Sequence, residues 1–200
     1  MSKILTSEYT LDFVLPQLES MDNDEFFAFC QQNKNLKIER DENRQIIFMP
    51  PEGIETSAMN GNIFLELGMW NKEKNAGAAF GSSAGFTLPD TSMRSPDAAW
   101  MNSEKWNSID KDDRKKFAHV CPDFVIELMS PSDNQPDAKA KMQKWIQNGV
   151  LLAWLIDPKT KETFIYRADG TINKIEGFNN TLSGENVLDG FVFDLNVLEG

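Results

Sequence analysis

Two hydrophobic periods organise the chain. From Glu55 to about Asn75, Met59, Ile63, Leu67 and Trp70 recur every three or four residues, which predicts a long amphipathic helix. Gly77 then reads as a helix stop. Residues 11–33 carry a similar helical pattern, with Phe13, Leu15 and Leu18, then Phe26, Phe27 and Phe29 after the helix-starting run Asp22-Asn23-Asp24. Elsewhere the pattern is that of strands. LKIER (36–40) and QIIFM (45–49) flank the polar turn Asp41-Glu42-Asn43-Arg44 and predict a hairpin, which Pro50-Pro51-Glu52-Gly53 stops. AAF (78–80), GFTLP (85–89) and DAAWM (97–101) predict short strands, and the Lys- and Asp-rich stretch 102–118 predicts surface helix and loop.

The second half repeats the alternation more strongly. CPDFVIELMSPSD holds a buried strand at 123–129, bounded by Pro122 and Pro131. A helix over 132–148 follows, with Pro136 in its first turn and Gly149 as its stop. LLAWLID (151–157) is a second buried strand, turning through Asp157-Pro158-Lys159-Thr160 into TFIYR (163–167). Strand, helix and buried strand in that order predict a parallel crossover, and the hairpins on either side make the sheet mixed. The expected architecture is an α/β sandwich with a long helix against the sheet. No repeat or linker interrupts residues 1–200, so one domain is expected, with a helical segment at 1–34 ahead of a core at 35–200.

Composition narrows the function classes. The net charge of -11, from 31 acids against 20 bases, argues against broad nucleic-acid binding through phosphate neutralisation alone. No apolar run approaches the ~18 residues of a membrane helix. The opening MSKILTSEYTLDFVLPQLES has acids among its apolar positions and no small-residue cleavage site, so no secretion signal is expected. Cys30 and Cys121 lack metal or redox spacing and read as free thiols in a reducing cytoplasm. The single histidine, His119, cannot build a multi-histidine metal site and reads as a loop or core-edge residue.

The chemistry centres on a carboxylate inside the most core-like strand. Side chains alternate along a strand, so Phe124, Ile126 and Leu128 share one face, while Asp123, Val125, Glu127 and Met129 share the other. Burying Glu127 unpaired costs several kcal/mol, so it requires a cationic partner, a proton or a metal ion, unless it is a strand-end acid with a solvated head or half of a structural salt bridge. Asp97, after Pro96 at the mouth of the 97–101 strand, reads as a turn acid or as the second oxygen ligand of a hard cation such as Mg²⁺. Asp123 lies roughly 13 Å from Glu127 along an extended strand, too far to share one ion, and is assigned to capping or strand entry. On the 132–148 helix, Ala138, Met142, Trp145 and Ile146 form the apolar stripe. Lys144 points away from that stripe, whereas Lys139 and Lys141 border it; a border lysine is ordinarily a snorkelling surface residue, and Lys141, one turn before Trp145, is also within reach of the sheet.

Taken together, RSPDAAWM, CPDFVIELMSPSD, KMQKWIQNGV and WLIDP, in that order, resemble the PD-(D/E)XK nuclease superfamily. Within it they more closely resemble the small bacterial proteins named putative restriction endonucleases. GFTLP and SGENVLDGFVFDL also match, so the resemblance covers roughly residues 25–195. It implies a restriction-endonuclease-like α/β core and metal-dependent hydrolysis of DNA phosphodiesters, with Asp97 and Glu127 holding Mg²⁺ or Mn²⁺. The superfamily expects a lysine two residues after the acidic strand residue, where this chain has Met129. In the smaller family that lysine comes from the following helix, which by alignment is Lys141. The family also tends to carry a glutamate on its first hairpin, where Glu39 falls, which implies a supporting role for Glu39 outside the metal-holding pair; the strand alone reads Glu39 as a surface acid. A homodimer is implied by analogy, and Lys139, Lys144 and Lys111 to Lys116 are candidate DNA contacts.

Two other readings compete. The net charge and Met129 favour a catalytically silent nuclease fold kept as a binding or assembly module. A glycosidase would need aromatic carbohydrate platforms near its acids, but Trp145 and Trp154 fall on core-like runs, with Trp100 less settled.

Overall fold

A six-stranded sheet carries the molecule, and both of its faces are covered. The computed structural model describes residues 20–199. The strands of this sheet are β3 (Gly77–Gly81), β6 (Ala98–Asn102), β7 (Phe124–Leu128), β8 (Leu152–Asp157), β9 (Glu162–Arg167) and β10 (Ile172–Glu176), in the spatial order β10-β9-β8-β7-β6-β3. Only β7 and β8 run parallel. They are joined by α4 (Gln135–Gln147), as the strand–helix–strand pattern requires. The sheet is mixed, as expected, with one strand, β10, that its largely exposed residues did not announce.

The alternation read along β7 decides which side is which. Phe124, Ile126 and Leu128 pack with Trp154 and Ile156 against Ile63, Leu67 and Trp70 of the long helix α2 (Ile54–Lys74). Val125 and Met129 face the other way, against Met142 and Trp145 of α4. The central strands are therefore buried on both faces, which is why they read as continuous apolar runs. The helix cap differs from expectation. Asn75, in the left-handed region at φ 50°, caps α2, whereas Gly77 already lies in β3. A Cβ at Gly77 would stand 2.0 Å from the Met101 carbonyl oxygen, so glycine is required there by close approach of strands.

A smaller four-stranded sheet forms the rim. The predicted hairpin is present as β1 (Lys37–Arg40) and β2 (Ile46–Met49), and β1 also pairs with β5 (Met93–Arg94), which pairs with β4 (Phe86–Thr87). Helix α1 (Asn23–Gln32) begins at Asp22, in a reciprocal capping box with Glu25, and packs Phe26 and Phe29 on this sheet. The part of the predicted 11–33 helix before Ser20 lies outside the described residues. A short helix α3 (Ser103–Ser108) follows β6, and a two-stranded ribbon of β11 (Thr181–Ser183) and β12 (Val192–Asp194) closes the chain. The direct run from β5 through Ser95 and Pro96 to β6 joins the rim sheet to the main sheet. That junction positions the candidate site.

Candidate active site

The acid in the core strand points at α4, and α4 answers it with two donors. Glu127 is 9% exposed. Its Oε1 lies 2.9 Å from Lys141 Nζ, its Oε2 accepts from the same ammonium at 3.0 Å, and Trp145 donates its indole N–H to Oε1 at 2.8 Å. Lys141 and Trp145 are four residues apart, so one helical face delivers both. Pro136 in the first turn, and Asn134 accepting from the Asp137 N–H, fix where that helix starts.

Asp97 comes from the neighbouring strand. β6 and β7 pair Ala98 with Ile126, and one further step of that register sets Asp97 opposite Glu127. Asp97 Oδ2 accepts from the Leu128 N–H at 2.8 Å. Among the described residues Asp97 has no ion-pair partner and no other hydrogen bond. Burial, and then the adjacent charge of Glu127, push its carboxyl up to about 7.

Glu39 is the third acid, and the surface reading of it is corrected: it is 1% exposed. β1 turns it inward beside β5, where Oε1 accepts from the Ser95 N–H at 2.9 Å and Oε2 from Arg94 Nη1 at 3.2 Å. Lys141 Nζ lies 3.4 Å from Glu39 Oε1, so one ammonium bridges Glu39 and Glu127. Burial raises the Glu39 carboxyl, but Lys141, the Ser95 N–H and Arg94 outweigh it and hold the group below its ordinary range. Glu127 is raised, because burial, reinforced by the charge of Glu39, exceeds the help from Lys141 and the indole. Burial also acts to lower Lys141, yet the surrounding acids hold the ammonium above its usual range.

These groups open onto a cleft of about 1070 Å³. The cations along it are Lys37, Arg94, Lys141 and Lys144. Lys139 instead lies over the Phe164 ring, and Lys115 and Lys116 are paired with Asp112 and Asp24, so neither Lys139 nor the 111–116 stretch lines this cleft. Arg94 was missed in the sequence because nothing in SMRSPD distinguishes a lining arginine from a surface one. Asp123 is structural, as expected: it accepts from the Asn102 N–H at 2.9 Å and pairs with Lys105. Trp100, Trp145 and Trp154 are all buried, so none is a carbohydrate platform. His119 is exposed beside Asn23, and both cysteines are free.

Whether the acids suit a divalent cation turns on Asp97. An acid buried next to another acid, with one amide donor and no cation of its own, is the group that a hard ion would neutralise. Among the described residues no three histidine, cysteine or carboxylate side chains converge on one point. An ion held by Asp97 and Glu127 would therefore complete its shell with water and substrate oxygens, the usual arrangement for Mg²⁺.

The fold is a mixed-sheet α/β fold in which acids of two neighbouring inner strands face each other, with a lysine from α4 beside them. The sequence profile of the Uma2 family, described as a putative restriction endonuclease, matches residues 23–197, and the chain belongs to that family. It is also similar in fold to the crystal structure of a putative nuclease from Anabaena variabilis ATCC 29413, assigned to DUF820. The TM-score is 0.71 at 20% identity, over 89% of this chain and 97% of that one. No curated protein matches the chain. Family membership supports nuclease function in general terms. Among the described residues no helix is long and apolar enough to cross a membrane.

Proposed function

We propose that the protein hydrolyses phosphodiester bonds of DNA with the help of Mg²⁺ or Mn²⁺. The observation that carries this reading is the facing pair Asp97 and Glu127 in an open cleft, with Lys141 within 3.0 Å of the second. Asp97 and Glu127 are the residues that would hold the ion. When bound, the ion supplies Lewis-acid polarisation of the phosphate and positive charge at the transition state.

The protein's own groups do the remaining work. Trp145 and Lys141 fix the Glu127 carboxylate in one orientation, so that it need not reorganise when substrate arrives. Glu39 pairs with the same ammonium at 3.4 Å and helps keep it beside Glu127 in the cleft. That ammonium can orient an attacking water and offset charge on the phosphoryl oxygens. Excess local acid keeps Lys141 protonated, so it serves as a charge and hydrogen-bond donor and not as a base.

The test is cleavage of plasmid or branched DNA by purified protein in Mg²⁺ or Mn²⁺. Activity should disappear on chelation and in Asp97→Ala, Glu127→Ala and Lys141→Ala. Equal residual nicking in all three variants would assign the activity to a contaminant and remove the reading.

A further inference from the structure

The outer cations of the cleft are occupied by one carboxylate. Glu42 sits in the turn between β1 and β2, with Lys144 Nζ 2.6 Å from its Oε1 and Arg94 Nη2 3.5 Å from its Oε2. All three side chains line the cleft. Arg94 keeps its other terminal nitrogen, Nη1, on Glu39. The result is a file of alternating charge from the surface to the core: Lys144, Glu42, Arg94, Glu39, Lys141, Glu127.

We propose that Arg94 and Lys144 form a subsite for a backbone phosphate of the nucleic-acid substrate, and that Glu42 fills it in the free protein until the phosphate displaces it. The proposal rests on the nuclease reading and adds a contact beyond the reacting centre. Three features support it. Two donors converge on two oxygens of a single anion, the geometry a phosphodiester also offers. Arg94, with 13% of its side chain exposed, is held in place by buried Glu39 and stays aimed at the cleft when Glu42 leaves. Glu42 is dispensable to its own turn, because Asp41 Oδ1 already accepts from the Asn43 and Gln45 N–H groups.

Charge and position fit as well. Lys144 follows Lys141 by three residues, and Cβ atoms so spaced lie about 5–6 Å apart on a helix. A phosphate on Lys144 and Arg94 would therefore sit in the same cleft as one held at Asp97 and Glu127, a short step away. Lys144 is 44% exposed and Glu42 28%, and a pair this wet contributes little to folding, so its release costs little. In a chain of net charge -11, masking two of the few cleft cations also disfavours weak or neutral ligands.

The experiment is fluorescence anisotropy of a labelled DNA duplex in EDTA, titrated with wild type, Glu42→Gln, Lys144→Gln and Arg94→Gln over a range of salt. Glu42→Gln should tighten binding by roughly threefold to tenfold, and Lys144→Gln should weaken it and lower the salt slope by about 1. Glu104→Gln, the same charge change outside the cleft, should leave affinity nearly unaltered. Unchanged or weaker binding by Glu42→Gln, or equal tightening by Glu104→Gln, overturns the subsite. Because Arg94 also supports Glu39, the Lys144 and Glu42 variants decide the matter if Arg94→Gln fails to fold. The two readings separate cleanly. Wild type that binds in this way yet never cleaves with Mg²⁺ or Mn²⁺ overturns the nuclease reading alone. Cleavage whose KM ignores Glu42→Gln overturns the subsite alone.

Discussion

Trp145 donates its indole N–H to Glu127 at 2.8 Å from within the core, so a residue that packs like any buried aromatic also aims the carboxylate of the candidate site. Trp145→Phe deletes the donor and also trims the buried bicyclic indole to a single ring, leaving a small void. Loss of one bond to a buried acid is expected to cost about 1–3 kcal/mol. It should appear as a lower urea midpoint at unchanged slope. Trp145→Ala adds a cavity and should cost about 3–5 kcal/mol. A Trp145→Phe midpoint equal to wild type would mean that Lys141 alone holds Glu127.

What the sequence revealed follows from where its side chains point. Alternation along 123–129 separated Phe124, Ile126 and Leu128 from Val125, Glu127 and Met129, because a strand offers only two faces, and the structure packs each face in a cluster of its own. Helical spacing placed Lys141 on the border of α4's buried stripe, and its head does reach the sheet. Burial of Glu39 was not legible: LKIER reads as one arm of a surface hairpin, and only the pairing of β1 with β5 turns this acid inward. Arg94 and Glu42 were hidden for the same reason, since their roles come from contacts between residues 39, 42, 94, 141 and 144, which no local period encodes. Trp145's second role was invisible because apolar spacing reports that a ring is buried and says nothing of what its N–H meets.

Lys141→Met tests how the acids are neutralised. The substitution leaves Glu127 without its cation and Glu39 with Arg94 alone. Removing one partner of a buried pair is expected to cost about 3 kcal/mol in metal-free buffer at pH 8. Mn²⁺ held by Asp97 and Glu127 would replace part of the missing charge. Saturating Mn²⁺ should therefore raise the melting temperature of Lys141→Met by more than that of wild type. Equal shifts in thermal melts would show that ammonium and ion do not act on the same carboxylate.

Gly77→Ala tests the sheet independently of the chemistry. Its Cβ would meet the Met101 carbonyl at 2.0 Å, and backbone on both sides leaves no side chain free to give way. The expected loss is about 3 kcal/mol, at the upper end for overpacking, read by chemical denaturation. Gly61→Ala, on the outer face of α2 where an added Cβ meets nothing within 4 Å, should instead stabilise by about 0.5–1 kcal/mol through helix propensity. A Gly77→Ala protein as stable as wild type would contradict the close pairing of β3 with β6.

Asp97 sets a pH dependence whose sign is unusual for an acid. Its carboxyl is raised from 3.8 to about 7 on folding, by burial and then by Glu127. The native protein therefore keeps a proton that the unfolded chain has already released. Metal-free stability should fall as pH rises from about 4 to about 7, and level off above that. Glu127, also raised, acts in the same direction, whereas lowered Glu39 contributes a loss only as pH falls below the ordinary carboxylate range. Asp97→Asn, whose amide oxygen can still accept from the Leu128 N–H, should flatten the slope and be more stable than wild type at pH 8 by a few kcal/mol at most. Urea midpoints at pH 5 and pH 8 for both proteins measure this, and parallel slopes would show that Asp97 is ionised throughout. Divalent ions require the deprotonated acid, so Mn²⁺ should protect wild type well at pH 8 and poorly at pH 5, and protect Asp97→Asn at neither.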